Sequence, residues 1–218
     1  MMKVLLILFA SLLAGSGYYV REINTRIDPK YREPSLEEYR FIDLPDTHHW
    51  SYWAFVGGSF GRITGDSLGK NYGLSNLSDY DLTTTWAIGV NQSKKIHIEI
   101  KYYDDDCYEK KPLENFIGKI FLFNGYCKSQ KLWEENSRVK KMNVYYNHQL
   151  LCRLNIEDNW HPQIFSLEPF FYDESHKDNK IKVRTGDIIT LEITDVYQGS
   201  KYDDICISGI YMECEEGG

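Results

Sequence analysis

Lys95 to Tyr102 reads KIHIEIKY. Ile96, Ile98, Ile100 and Tyr102 alternate with His97, Glu99 and Lys101, a period of two that lays the apolar side chains on one face of a half-buried strand. The same alternation returns at Met142-Val144-Tyr146, Cys152-Leu154-Ile156, Ile181-Val183 and Ile189-Leu191-Ile193, and a further strand is expected from Ile205 to Cys214. Turn signals separate the runs at Asn124-Gly125, Asn147-His148, Asp158-Asn159, Thr185-Gly186-Asp187 and Gln198-Gly199-Ser200. Short strands at that spacing, with almost no 3.6-residue period, predict an all-β antiparallel sandwich or jelly roll. A parallel α/β sheet is disfavoured, because no amphipathic helices are there to serve as crossovers.

The 218 residues suit one well-buried domain with an extension. A hydrophobic fraction of 42% against 26% charged excludes a disordered chain. The net charge of -7 argues against nucleic acid as a partner, since Lys and Arg supply the counterion-release energy and are outnumbered here. Met1 to Ser16, MMKVLLILFASLLAGS, has the basic start, short apolar run and small residues of a secretory signal peptide. Its run falls short of the about 20 apolar residues of a spanning helix, so no stable transmembrane segment is expected after cleavage. Ser16 stands where a lipid anchor needs Cys, and export without lipidation to periplasm, cell surface or medium is the expectation. Residues 17–52 read as a polar extension or linker, and 53–214 as the sandwich domain. Glycines crowd the stretch from Val56 to Gly73, which reads as loop. The five cysteines form no recognisable disulfide framework, and Cys152, in phase with Leu154 and Ile156, is expected inside as an inert thiol.

Catalytic strings are few. Gly65-Asp66-Ser67-Leu68, with Asp173 and His176 downstream, has the form of a GDSL-type esterase set, but that chemistry needs its serine at a strand-to-helix turn, and Ser67 falls in the glycine-rich stretch. His48-His49 has no third ligand at a recognisable spacing. Asp79-Tyr80-Asp81-Leu82-Thr83-Thr84-Thr85-Trp86 packs carboxylates and hydroxyls into a short loop. It can ring a calcium ion through Asp79, Asp81 and Thr84, or form Asx and Ser/Thr turns ahead of a strand beginning at Trp86. Arg138 can fork to a carboxylate or a sugar hydroxyl, or pair internally.

Together these strings resemble the jelly-roll domain related to the translocation region of bacterial NAD glycohydrolase toxins, akin to discoidin or coagulation-factor type C domains of the galactose-binding-like class. The resemblance spans about 74–214. It is carried by Asp79-Tyr80-Asp81-x-x-Thr84-x-Trp86, by the NGYCKS block from Asn124 with Asn136-Ser137-Arg138-Val139-Lys140, by the strand 188–196, and by Tyr197 to Asp204 ahead of Ile207-Ser208-Gly209-Ile210. It implies binding without catalysis. In related sugar-binding sandwiches a glutamate of the last strand helps hold a structural calcium; here that position is Gly209, and the family's glycine between the acidic residues is Tyr80.

The expectation is an exported, non-catalytic module that contacts a glycan or another cell-surface ligand through loops at one end of the sandwich, with a structural calcium possible and a secreted protein-interaction domain as the alternative. The candidate platforms for a sugar face are Trp53, Tyr126, Trp133, Tyr197 and Tyr202, and the candidate polar partners are Asn124, Asn136 and Arg138.

Overall fold

The computed structural model describes residues 21–27, 53–55, 61–79, 81–100, 115–167 and 181–216, with the backbone alone at 26–27, 53–55, 61, 115–117, 181–182 and 213–216. The signal peptide, residues 28–52 of the extension, His48-His49, Tyr80, Cys107 and the Asp173–His176 string lie outside the described residues, as do the side chains of Trp53 and Cys214. Among the described residues no helix is long and apolar enough to cross a membrane.

Two sheets face each other. The first runs β1-β9-β8-β12-β6-β4, built from Arg21–Asn24 (β1), Gly61–Gly65 (β4), Lys95–Ile100 (β6), Arg138–Tyr146 (β8), Gln149–Asn155 (β9) and Ile188–Tyr197 (β12). The second runs β2-β10-β7-β13-β3, from Arg26–Ile27 (β2), Trp53–Phe55 (β3), Asn115–Asn124 (β7), Gln163–Ser166 (β10) and Ile205–Glu216 (β13). Ile181–Val183 (β11) also pairs β7, and Trp86–Ile88 (β5) also pairs β13. The one described α-helix, Gln130–Glu135 (α1), is capped by Ser129, whose Oγ accepts from Leu132 N–H. Alternation puts Ile96, Ile98 and Ile100 of β6, Met142 and Val144 of β8, Leu191 and Ile193 of β12 and Ile120 and Leu122 of β7 into one core between the sheets. Each such side chain, fully buried, contributes about 1.5–3 kcal/mol. Cys152 is buried among them as a free thiol. A void of about 10 Å³ between the sheets, lined by Ile120, Val144, Tyr146, Leu151, Leu167, Ile189 and Met212, is too small and apolar for a ligand.

Two stretches depart from the sequence expectation. The glycine-rich run holds β4, an edge strand whose ladder to β6 uses backbone groups that glycine also possesses. Within the expected linker, β1 pairs parallel to β9 and β2 pairs with β10, so residues 21–27 add a strand to each sheet, and β1 buries Ile23 against the core.

The hairpin between β8 and β9 turns on Asn147 and His148, both at positive φ (45° and 68°), the geometry that follows the strand twist. Beside it Asp187 accepts hydrogen bonds from Tyr146 Oη (2.5 Å), Asn147 Nδ2 (2.8 Å) and Arg184 N (2.7 Å). Burial opposes its charge, but those donors and the Arg184 cation hold its carboxyl below the ordinary range. Burial, joined by the same contact, pushes the Tyr146 phenol up to about 12. A depressed carboxyl stabilises above its unfolded pKa, so this contribution is lost as pH falls below about 4, and the Tyr146 contribution is lost as pH rises past about 10. Thermal unfolding across pH should show both edges, and Asp187→Asn should lower the melting temperature at neutral pH while flattening the acid edge.

Candidate functional site: the loop end of the sandwich

Strand registers bring the loops to one end. Gly65 lies opposite Ile96 at the start of β6, Ile88 opposite Ile205 at the start of β13, and Arg138 at the start of β8 opposite Tyr197 at the end of β12. Asn155 closes β9 opposite Lys141, and Gln163 opens β10 opposite Leu122. The connections 66–85, 89–94, 125–137, 156–162 and 198–204 therefore emerge together, and they or the strand ends beside them carry every candidate residue whose side chain is described.

Most of those candidates turn inward. Asn124 is fully buried and pairs with the backbone of Val139 like a neighbouring strand, its Nδ2 donating to Val139 O (2.8 Å) and its Oδ1 accepting from Val139 N (2.9 Å). Its carbonyl accepts from the indole of Trp133 (2.8 Å). Gly125 follows at φ 96° with Trp133 directly against it. Arg138, 7% exposed, forks to Asp158 (2.9 Å on each arm), donates to the carbonyls of Asn136 (2.9 Å) and Trp133 (3.3 Å), and lies 4.3 Å above the Trp133 ring. Trp160 meets Trp133 edge-on at 5.5 Å. Asn136 caps α1 through Leu132 O (2.6 Å), and Ser137 Oγ ties the 198–204 loop by accepting from Gly199 N and donating to Tyr202 O. Leu82, Phe121, Phe123, Cys127 and Tyr211 complete this second, smaller core with Trp133.

Asn124, Trp133, Asn136 and Arg138, expected as ligand contacts, are thus turned into the chain and hydrogen-bond within it. These bonds satisfy backbone groups that an irregular loop end would otherwise leave unpaired. Tyr197 is half-buried, with its hydroxyl on Ile156 O (3.0 Å) and Lys140 Nζ 5.8 Å from its ring centre.

Other side chains face outward. Tyr202 is 41% exposed, with one face under Lys201 Nζ at 4.7 Å. Tyr126 is half-buried and meets Tyr72 edge-on at 6.5 Å; burial, then Tyr72, Cys206 and Asp81, raises its phenol pKa. Tyr72 (37%) and Leu68 (43%) are exposed as well. These two were missed in the sequence, where the stretch reads only as loop. In the structure Tyr72 ends the 3-10 turn Lys70–Tyr72, whose only mark in the sequence is the glycine on either side, Gly69 and Gly73.

In the acidic loop, Asp79 accepts from Asp81 N (3.0 Å) and Thr84 Oγ1 (2.7 Å), and Asp81 accepts from Thr83 N (2.8 Å) and Thr83 Oγ1 (2.6 Å). That is the Asx and Ser/Thr-turn arrangement. Ser67 sits in the connection after β4, followed by a three-residue 3-10 turn rather than the helix an esterase elbow requires.

Known structures share this architecture. The paired family 32 carbohydrate-binding modules of Clostridium perfringens ZmpB, solved in complex with GalNAc, superpose at a TM-score of 0.50 and 8% identity over 94% of this chain, which spans 42% of theirs. The family 32 module of Streptococcus pneumoniae EndoD gives 0.47 at 12% identity over 72% of this chain and 97% of its own, and that of C. perfringens NanJ, solved with galactose, gives 0.44 at 11% over 70% and 93%. At such identities the likeness is one of fold. No curated protein matches the sequence. Residues 63–213 match the family described as the NAD glycohydrolase translocation F5/8 type C domain. That span runs from within β4 through most of β13, more than half of the sequence, and the chain belongs to that family.

Proposed function

We propose that the chain is an exported, non-catalytic binding module that takes a glycan of the cell surface at the loop end, with Tyr72, Tyr126 and Tyr202 offering ring faces to the apolar side of a sugar. One observation carries this reading: the exposed large hydrophobic side chains among the described residues, Leu68, Tyr72 and Tyr202, all lie on loops of that one end. Exposed aromatic surface gathered on loops above a rigid scaffold is what a recognition site requires. The family supports binding without hydrolysis, and the Met1–Ser16 leader pattern supports export. The exposed aliphatic Leu68 beside Tyr72 favours, as a second reading, a secreted domain that docks on a protein.

A glycan array on the intact chain, followed by titration with GalNAc as the first probe because the ZmpB modules were solved with it, tests the proposal. Loss of one stacking ring costs about tenfold in affinity, so Tyr72→Ala and Tyr202→Ala should each weaken binding by about that factor with the fold intact. No glycan bound at all, with a single protein retrieved by pull-down, would favour the docking domain instead.

A further inference from the structure

The family resemblance brings with it a structural calcium, and the residues present do not fit one. Calcium takes about six to eight oxygen ligands whose lone pairs converge on it. Both Asp79 oxygens face protons instead, from Asp81 N–H and the Thr84 hydroxyl, and one Asp81 oxygen faces two, from the Thr83 N–H and hydroxyl. The Thr84 hydroxyl is also 2.9 Å from the Asp81 carbonyl, so its oxygen, carbonyl and carboxylate are knit to one another.

The last strand tells the same way. A Cβ placed on Gly209, where the family carries its glutamate, would stand 2.9 Å from Tyr211 Cε2 and 3.2 Å from its hydroxyl, so the Tyr211 ring occupies the space a carboxylate side chain would need. Among the described residues no three His, Cys, Asp or Glu side chains gather where they could hold a metal.

We propose that the acidic loop of this chain is a metal-free clamp, in which the hydroxyls of Thr83 and Thr84 do the work of a cation and position the loop. Like an ion, they bridge Asp81 and Asp79 to the chain that follows; unlike an ion, they arrive covalently attached and cannot be chelated away. The clamped loop is then fastened to the sandwich at two points. Ser208 Oγ donates to Thr84 O (3.0 Å) while accepting from Cys127 N (3.0 Å), and Leu82 enters the small core beside Phe123 and Trp133. Loop and loop end are thereby joined without an ion, and the module keeps its shape in chelator. The inference is independent of what the module binds.

Thermal unfolding of the full chain in excess calcium and in EDTA is the test, with calorimetric titration of calcium alone beside it. The expected result is coincident melting curves and no binding heat. A calcium site saturated at 100 times its dissociation constant would raise the melting temperature by about 5 to 10 °C, and a rise of that size overturns the proposal. Thr83→Val/Thr84→Val keeps the shape of both side chains and removes both hydroxyls. It should melt several degrees lower, equally in calcium and in EDTA. A double variant that melts like the parent would show that the hydroxyls fasten nothing, and one restored by calcium would show that the carboxylates form a cation site after all.

Discussion

Gly125→Ala is expected to destabilise the chain by about 2–5 kcal/mol, adding the roughly 1–2 kcal/mol of a left-handed non-glycine backbone to the roughly 1–3 kcal/mol of overpacking. The position sits at φ 96°, and an added Cβ would stand 2.6 Å from Trp133 Cδ1, 2.7 Å from Trp133 Nε1 and 2.8 Å from Arg138 Cγ. Neither neighbour can yield cheaply. The indole is bonded to Asn124 O and the guanidinium is forked to Asp158, so relief at residue 125 breaks a contact elsewhere. The Gly125 N–H also bonds Cys206 O, which ties the turn to β13. Urea unfolding reads the effect, and Gly186→Ala provides the control. Gly186 has φ 86° with nothing within 4 Å of its Cβ position, so it should lose the backbone share alone.

Arg138→Lys should cost about 2–3 kcal/mol in spite of its retained charge, because an ammonium cannot reproduce a fork, two carbonyl contacts and a stacked ring at once. The Asp158 side chain is 37% exposed and can rehydrate when its partner is lost, which keeps the cost toward the lower part of the range for broken buried pairs. Arg138→Met, which keeps the stem over Trp133 without the charge, should fall close to Arg138→Lys if the fork and the carbonyl bonds dominate. A lysine variant as stable as the parent would show that charge alone matters there.

Both variants probe the same lesson about the sequence. The strands were legible wherever one face is buried, since Ile96-Ile98-Ile100 or Ile189-Leu191-Ile193 must alternate for the core to close. Edge strands obey no such rule. β4 and the strands at 21–27 are held largely by backbone pairing, which leaves little mark on residue type, and so they read as loop and linker. The loop end was legible as a place but not as a set of roles. An asparagine, a tryptophan and an arginine near a turn suit a sugar and suit a carbonyl equally well. Only the fold shows that Asn124 finds its partner fifteen residues away at Val139 and that Arg138 finds Asp158 twenty residues away. The most specific block of the sequence thus builds the inside of the loop end, while Tyr72 and Tyr202 stay exposed around it, where the proposed glycan would stack. Tyr72 escaped notice because a 3-10 turn between glycines carries no periodicity.

The most direct test of that division is an amide chemical-shift titration of the intact chain with a panel of neutral monosaccharides, the sugar that binds being carried to saturation. The account predicts perturbations concentrated around Tyr72, Tyr126 and Tyr202, with the six-stranded sheet and the hairpin at Asn147 and His148 unmoved. Perturbations centred on the outer face of that sheet, around Asn143, Arg153 and Glu192, would contradict it.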